Sequence, residues 1–227
     1  NKHIPQGYID SPLGIIPKEW NVKKILDFAP LQRGFDLPTD KIIVGKYPVV
    51  YSNGILNYHD EYKAKGPGVV TGRSGTIGKV TYVKSDYWPH NTSLWVTDFK
   101  GNNSKYVYYV YEYIGLSKFA SGSGVPTLNR NDIHDRKVSI PPLNEQIKIA
   151  TFLDLIEQRI DTQIKIIYKY ESLEKQIKDS LLCKNVPGKK EKLSKILTEL
   201  NEKSTIQNQH PLLSSTVKGL FLQSEYF

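Results

Sequence analysis

A run of apolar residues at helical spacing between Glu145 and Leu182 constrains this chain more than any other stretch. Ile149, Leu153, Ile156, Ile160, Ile164, Ile167, Tyr170, Leu173, Ile177 and Leu181 recur with a mean step of about 3.5 to 3.6 residues, the period of a coiled-coil seam. Pro141-Pro142-Leu143-Asn144 precede it: proline can stand before a helix but not inside one, Asn144 suits an N-cap, and Glu145 suits the positive end of the dipole. Asn185-Val186-Pro187-Gly188 mark the exit. At ~1.5 Å per residue the run makes a rod of roughly 57 Å, longer than a small domain is wide. Leaving so many Ile and Leu side chains wet would forfeit on the order of ten kcal/mol. Charged residues cover the other faces, so the run reads as a coiled-coil spacer that needs a partner helix, in preference to the core helix of one large domain.

The 227 residues allow one domain plus attachments. A single cysteine, Cys183, excludes an internal disulfide framework, and His3, His59, His90, His134 and His210 lack metal-ligand spacing. Neither a metal nor a cofactor is expected. With no charged-then-apolar leader and no apolar run of about 18 residues, export and membrane insertion are not indicated, and the cytoplasm is the default. The net charge of +8 is unevenly placed. Residues 1–144 carry 18 Lys and Arg against 12 Asp and Glu (+6), residues 145–182 carry 6 against 7 (−1), and residues 183–227 carry 7 against 4 (+3). A neutral rod between basic segments fits a polyanion bound by those segments and spaced by the rod.

Four segments follow. Residues 1–17 read as an irregular lead-in, punctuated by Pro5, Gly7, Pro12, Gly14 and Pro17. Residues 18–142 read as a mixed domain. Trp20 to Phe28 starts it as a strand or helix, and Gln32-Arg33-Gly34 follows as a turn. Strands are expected at Pro48–Tyr51, Val69–Thr71, Val80–Val83 and Ser93–Val96, a buried helix, with strand as the alternative, over the Tyr/Val-rich run Tyr106–Phe119, and a last strand over Lys137–Ile140. Residues 143–184 hold the rod, and residues 185–227 a linker and the start of a second domain. The last segment repeats the first. Lys24-Ile25-Leu26 returns as Lys195-Ile196-Leu197, and Pro48-Val49-Val50-Tyr51 with Gly54-Ile55-Leu56 returns as Pro211-Leu212-Leu213-Ser214 with Gly219-Leu220-Phe221. A domain followed by a rod is therefore the expected repeating unit.

Enzyme chemistry is weakly signalled. Thr71-Gly72-Arg73-Ser74-Gly75-Thr76-Ile77-Gly78-Lys79 has the wrong spacing for a phosphate-binding loop of the nucleotide hydrolases, and Val80 follows the lysine. It reads either as a turn offering backbone N–H groups and Arg73 to an external anion, or as an ordinary hairpin. Asp40 with Glu61 and Lys63 is a poor match to a metal-dependent nuclease site. Pro141-Pro142 is followed by Leu143, not by the aromatic residue of an amino-methyltransferase motif. Asn91-Thr92-Ser93 and Thr127-Leu128-Asn129-Arg130 carry groups that read base edges, and that equally satisfy loop backbone.

Three stretches together resemble the specificity subunit of type I restriction-modification systems. Gly7-Tyr8-Ile9-Asp10-Ser11-Pro12-Leu13-Gly14 with Ile16-Pro17-Lys18-Glu19-Trp20 is similar to the lead-in of that family's target recognition domain. Ser123-Gly124-Val125-Pro126-Thr127 is similar to its late loop, and Ile140-Pro141-Pro142-Leu143-Asn144-Glu145-Gln146 to the entry of its spacer helix. The resemblance implies an α/β recognition domain followed by a long coiled-coil helix and the start of a second recognition domain. It implies a non-catalytic subunit that binds double-stranded DNA at one half of a bipartite target and scaffolds methyltransferase subunits and, in the full complex, restriction subunits. The expected DNA contacts, chosen for their side-chain chemistry and loop position, are Arg33, Arg73, Ser74, Thr76, Lys79, Asn91, Thr92, Ser121, Ser123, Thr127, Asn129 and Arg130. The Ile and Leu residues of the seam named above are the expected coiled-coil interface, and an antiparallel homodimer is the expected way to cover them. A metal-dependent nuclease and a coiled-coil scaffold without DNA binding stay open as alternatives.

Overall fold

The computed structural model describes residues 4–122 and 124–182 and two further strands, Leu213–Thr216 and Gly219–Leu222. The chain divides into two compact units, Asn1–Ile167 and Tyr168–Phe227.

The first unit opens with a hairpin, β1 (Tyr8–Ser11) and β2 (Gly14–Pro17), where an irregular lead-in was expected. The glycines that suggest irregularity form its turns: Gly7 and Gly14 sit at φ +86 and +98, a region that costs glycine nothing. Next come β3 (Asn21–Lys24) and α1 (Ile25–Phe28), so Trp20 to Phe28 is a strand and a helical turn in succession. β4 (Leu31–Arg33) replaces the expected turn. Its three residues are drawn into a sheet by pairing with a strand 60 residues away, Leu31 facing Val96 and Arg33 facing Leu94. β5 (Tyr47–Tyr51), β6 (Gly54–His59), β7 (Gly68–Gly72), β8 (Val80–Val83), β9 (Trp88–Pro89) and β10 (Ser93–Val96) follow. The order β4-β10-β7-β8 makes an antiparallel sheet, and β6-β5-β9 a smaller one with a parallel β5–β9 pair.

The helical half comes last. α2 (Ser104–Ile114) begins where Asn103 accepts the Tyr106 N–H at 2.9 Å and ends at Gly115, left-handed at φ 66. After the short strands β11 (Ala120–Ser121) and β12 (Thr127–Leu128) come α3 (Arg130–His134), β13 (Lys137–Ile140) and α4 (Leu143–Leu182). One core joins these helices to a face of the four-stranded sheet: Ile25, Phe28, Val69, Leu94, Tyr111, Leu116 and Ile133 are buried in it, with Ala150 of α4. The other face packs Val70, Val83 and Trp95 against Val50, Ala64 and Tyr87.

α4 begins two residues before Glu145. The Pro142 carbonyl accepts the N–H groups of Glu145 and Gln146 at 2.9 and 3.0 Å, so Asn144 lies inside the first turn and is not the N-cap. Its first turns are docked. Trp20 Nε1 donates to Glu145 at 3.0 Å, and Gln146 bonds Asn103, Asn102 and Pro141. Ile149 and Leu153 are half-buried, but Ile156 to Ile167 along the seam are 40% to 55% exposed. In the second unit Leu173 and Ile177 are exposed as well, and the side chain of Leu181 lies outside the described residues. No second long helix covers the seam among the described residues.

The second unit also holds β14 (Leu213–Thr216) paired with β15 (Gly219–Leu222). Thr216 faces Gly219 as Tyr51 faces Gly54 in the β5–β6 hairpin, a constant offset of 165 (216 minus 51, 219 minus 54). Of the linker and partial domain expected over residues 185–227, residues 185–212, with Lys195-Ile196-Leu197, lie outside the described residues.

Candidate nucleic-acid interface

The connection from β7 to β8, residues 73–79, is where the predicted site residues meet. Thr71 and Val80 close the hairpin, with Thr71 Oγ1 donating to the Lys79 carbonyl at 3.1 Å. The loop folds back so tightly that a Cβ on Gly72 would stand 1.8 Å from the Thr76 carbonyl; only glycine fits there. The loop is then gripped from both sides. Arg73 and Ser74 N–H groups bond the Thr92 carbonyl at 2.9 and 3.1 Å, the Gly75 N–H bonds the Pro126 carbonyl at 3.0 Å, and the Leu128 N–H bonds the Arg73 carbonyl at 2.8 Å. Ser74 also bridges Thr127. These N–H groups are spent inside the protein. For residues 73–75 the backbone is therefore not offered to an external anion, and what these residues offer outward is their side chains.

Those side chains form a connected set. Arg73 Nη1 donates to the Asn91 carbonyl at 3.3 Å, Asn91 Nδ2 donates to Asp36 Oδ1, and Arg33 Nη2 reaches the same oxygen at 3.4 Å. Beside them His90 packs on Tyr51 with ring centroids 4.2 Å apart, and its Nδ1 meets Thr92 Oγ1 at 3.0 Å. Burial lowers the His90 pKa, opposed by a bond to Leu37 and by the Asp36 charge, which keeps the ring neutral near pH 7. On the other flank Ser121 Oγ donates to the Thr127 carbonyl at 3.3 Å. Arg33, Arg73, Ser74, Asn91, Thr92, Ser121 and Thr127, from four stretches of sequence, are thus tied together.

The remaining predicted residues stand apart. Lys79 Nζ donates to the Asn53 carbonyl at 2.6 Å and ties the loop to the β5–β6 turn, while Thr76 is exposed at the loop tip. Asn129 Oδ1 accepts the Asn131 N–H at 3.1 Å and so caps α3, which opens with the exposed Arg130. Ser123 lies outside the described residues. Three neighbours went unread in the sequence: Asp36, His90 and Tyr51. A count of cations and amides passes over an acid, and only the fold brings Tyr51 to His90.

Among the described residues no group of three or more His, Cys, Asp or Glu side chains is placed to hold a metal ion, and no helix is long and apolar enough to cross a membrane. Asp40 lies on a 3-10 turn, Thr39–Lys41, while Lys63 pairs loosely with Glu61 at 4.0 Å and lies over the Trp88 ring.

Residues 17–169 match the family described as type I restriction modification DNA specificity domain. The type I restriction enzyme MjaIX specificity subunit of Methanocaldococcus jannaschii is 27% identical over 182 residues, covering 69% of this chain and 42% of that protein. Two solved structures share the fold. The S subunit from M. genitalium aligns with TM-score 0.56 and 18% identity over 69% of this chain and 44% of its own. A chain from work on complex assembly and conformational transition of the type I R-M system aligns with TM-score 0.61 and 14% identity over 75% of this chain and 46% of its own. The chain therefore spans under half the length of these relatives. With the family's pattern matched from Pro17 to Lys169, the chain belongs to the type I restriction modification DNA specificity domain family.

Proposed function

We propose that this chain recognises double-stranded DNA by sequence, through the face that joins Arg33, Arg73, Asn91, Thr92 and Thr127. The observation that carries this reading is the convergence itself. Guanidinium, amide and hydroxyl groups from four separate stretches are held together by backbone bonds, on a segment with six excess positive charges. Amide and guanidinium groups are those that read adenine and guanine edges in the major groove. The recognition domain spans residues 18–142 in this reading, reads one half of a two-part target and performs no chemistry. Methyltransferase subunits, and restriction subunits in a larger complex, supply the catalysis in the cytoplasm around it. The seam of α4 is the face of an antiparallel coiled coil, covered by the same helix of a second copy.

The test is a partition of randomised duplexes by the purified chain. One enriched motif is expected, with affinity falling steeply as salt rises. Retention without enrichment would remove sequence reading, and no retention at low salt would remove DNA binding. On the enriched duplex, Arg73→Ala should cost about 1–3 kcal/mol and relax one position if Arg73 meets a base, or weaken all duplexes alike if it meets phosphate.

A further inference from the structure

Asp36 is an acid within the proposed reading face, bonded to Arg33 and to Asn91, whose carbonyl takes the Arg73 guanidinium. The backbone puts it there deliberately close to Asn91. Gly34 lies so near the next segment that a Cβ would be 2.2 Å from the His90 carbonyl, and the Phe35 N–H bonds the Pro89 carbonyl at 2.8 Å. Asp36 is thereby carried to Asn91, and its carboxylate accepts from both Asn91 Nδ2 and Arg33 Nη2. The Arg33 and Asp36 side chains are 52% and 73% exposed, so their ion pair adds little to stability. Against a phosphate backbone the carboxylate would be repelled. A stability role and a phosphate-binding role both fail to explain it.

Two effects on its neighbours do. An Asn amide reads adenine by presenting one N–H and its carbonyl oxygen side by side. With one N–H of Asn91 given to Asp36, the other N–H and Oδ1 remain, and the amide cannot turn over without losing that bond. The same carboxylate holds Arg33, which would otherwise be free to seek any phosphate. We propose that Asp36 is a specificity-determining positioning residue, which fixes the Asn91 amide for reading one base pair and withholds Arg33 from indiscriminate phosphate contact.

This rests on the DNA-recognition reading, and the experiment separates the two. Affinities of the full chain and of Asp36→Asn are measured over a salt series, for the enriched duplex, for its single-base variants and for a random duplex. In Asp36→Asn the random duplex should bind about tenfold tighter at roughly physiological salt, with a log-log salt slope steeper by about one. Preference at one base pair should fall about tenfold. The double variant Arg33→Gln/Asp36→Asn should regain the wild-type slope but not the lost preference, and Asp36→Glu should keep the wild-type slope. A wild-type chain that selects a motif, together with an Asp36→Asn chain of unchanged slope and unchanged preference, overturns the inference alone. A change in melting temperature with neither binding change makes Asp36 merely structural and overturns it too. A wild-type chain that selects no motif overturns the reading beneath it.

Discussion

His134 is part of the framework as a neutral ring. Its Nε2 accepts the Leu31 N–H at 2.9 Å, which holds β4 in the sheet end that carries Arg33. Burial first, and then the nearby Arg130 charge, lower its pKa below the usual 6.5; burial does the same to His90. Unfolded, both rings take up protons near pH 6.5, where the same rings in the folded protein are less protonated. The unfolded state then binds more protons, so stability is full above that pH and is lost as pH falls from it toward the lowered folded values. The urea midpoint should therefore drop between pH 7.5 and 5.5, and His134→Gln, which keeps an acceptor, should flatten the drop. An identical drop in the variant would assign it to other groups. Single residues were the least legible part of the sequence. Asn91 and Asn129 are named from the same amide chemistry, and only the fold shows that the first meets Asp36 while the second caps α3. What separates them is which backbone N–H groups lie nearby, and that is decided by tertiary structure.

Elements were legible where their periodicity is local. The rod announces itself through spacing; over Tyr106–Phe119 the sequence leaves helix and strand both open, and the helix is Ser104–Ile114, ended by Gly115, while β4 and the opening hairpin depend on partners and on turn glycines. The junction of α2 with α4 could not be read at all. Lys105 bonds Asp154 and Glu157 at 2.9 and 3.3 Å and lies 4.7 to 5.2 Å from the ring centroids of Tyr82, Tyr108 and Tyr109. Tyr109 and Tyr108 hydroxyls donate to Glu157 at 2.8 and 3.3 Å. Burial works to lower the Lys105 pKa, but the two carboxylates outweigh it and the net shift is upward. The lysine is 22% exposed and its partners 41%, so the cluster is neither fully wet nor fully dry. Lys105→Met keeps the stem against the rings and removes the charge. It should cost about 1–2 kcal/mol in urea unfolding, less than for a fully buried pair. A double-mutant cycle with Glu157→Gln should show coupling; additive effects would mean that the rings alone hold the lysine.

At the scale of the whole molecule, the exposed seam is the feature that most needs a counterpart. Seven seam residues from Ile156 to Ile177, Tyr170 among them, are 40% to 68% exposed, an apolar stripe that water penalises. If two copies pair along it, the chain should sediment as a dimer at micromolar concentration, and Ile160→Asp/Ile164→Asp should yield monomers. A wild-type monomer would exclude pairing between copies. A different pairing bears on the first unit. β3 and β13 zip the entry of the recognition domain to its exit, Asn21 opposite Ile140 and Lys24 opposite Lys137, and the Ile25 N–H adds a bond to Arg136 at 2.8 Å. Every loop of the proposed reading face lies between those two strands in sequence. Residues can be inserted, deleted or exchanged among these loops without moving the point from which the long helix departs, because the stitch absorbs the change as a purse-string closes a bag of any content. Under the proposed function, a change of target made in these loops leaves the departure of α4 where it is.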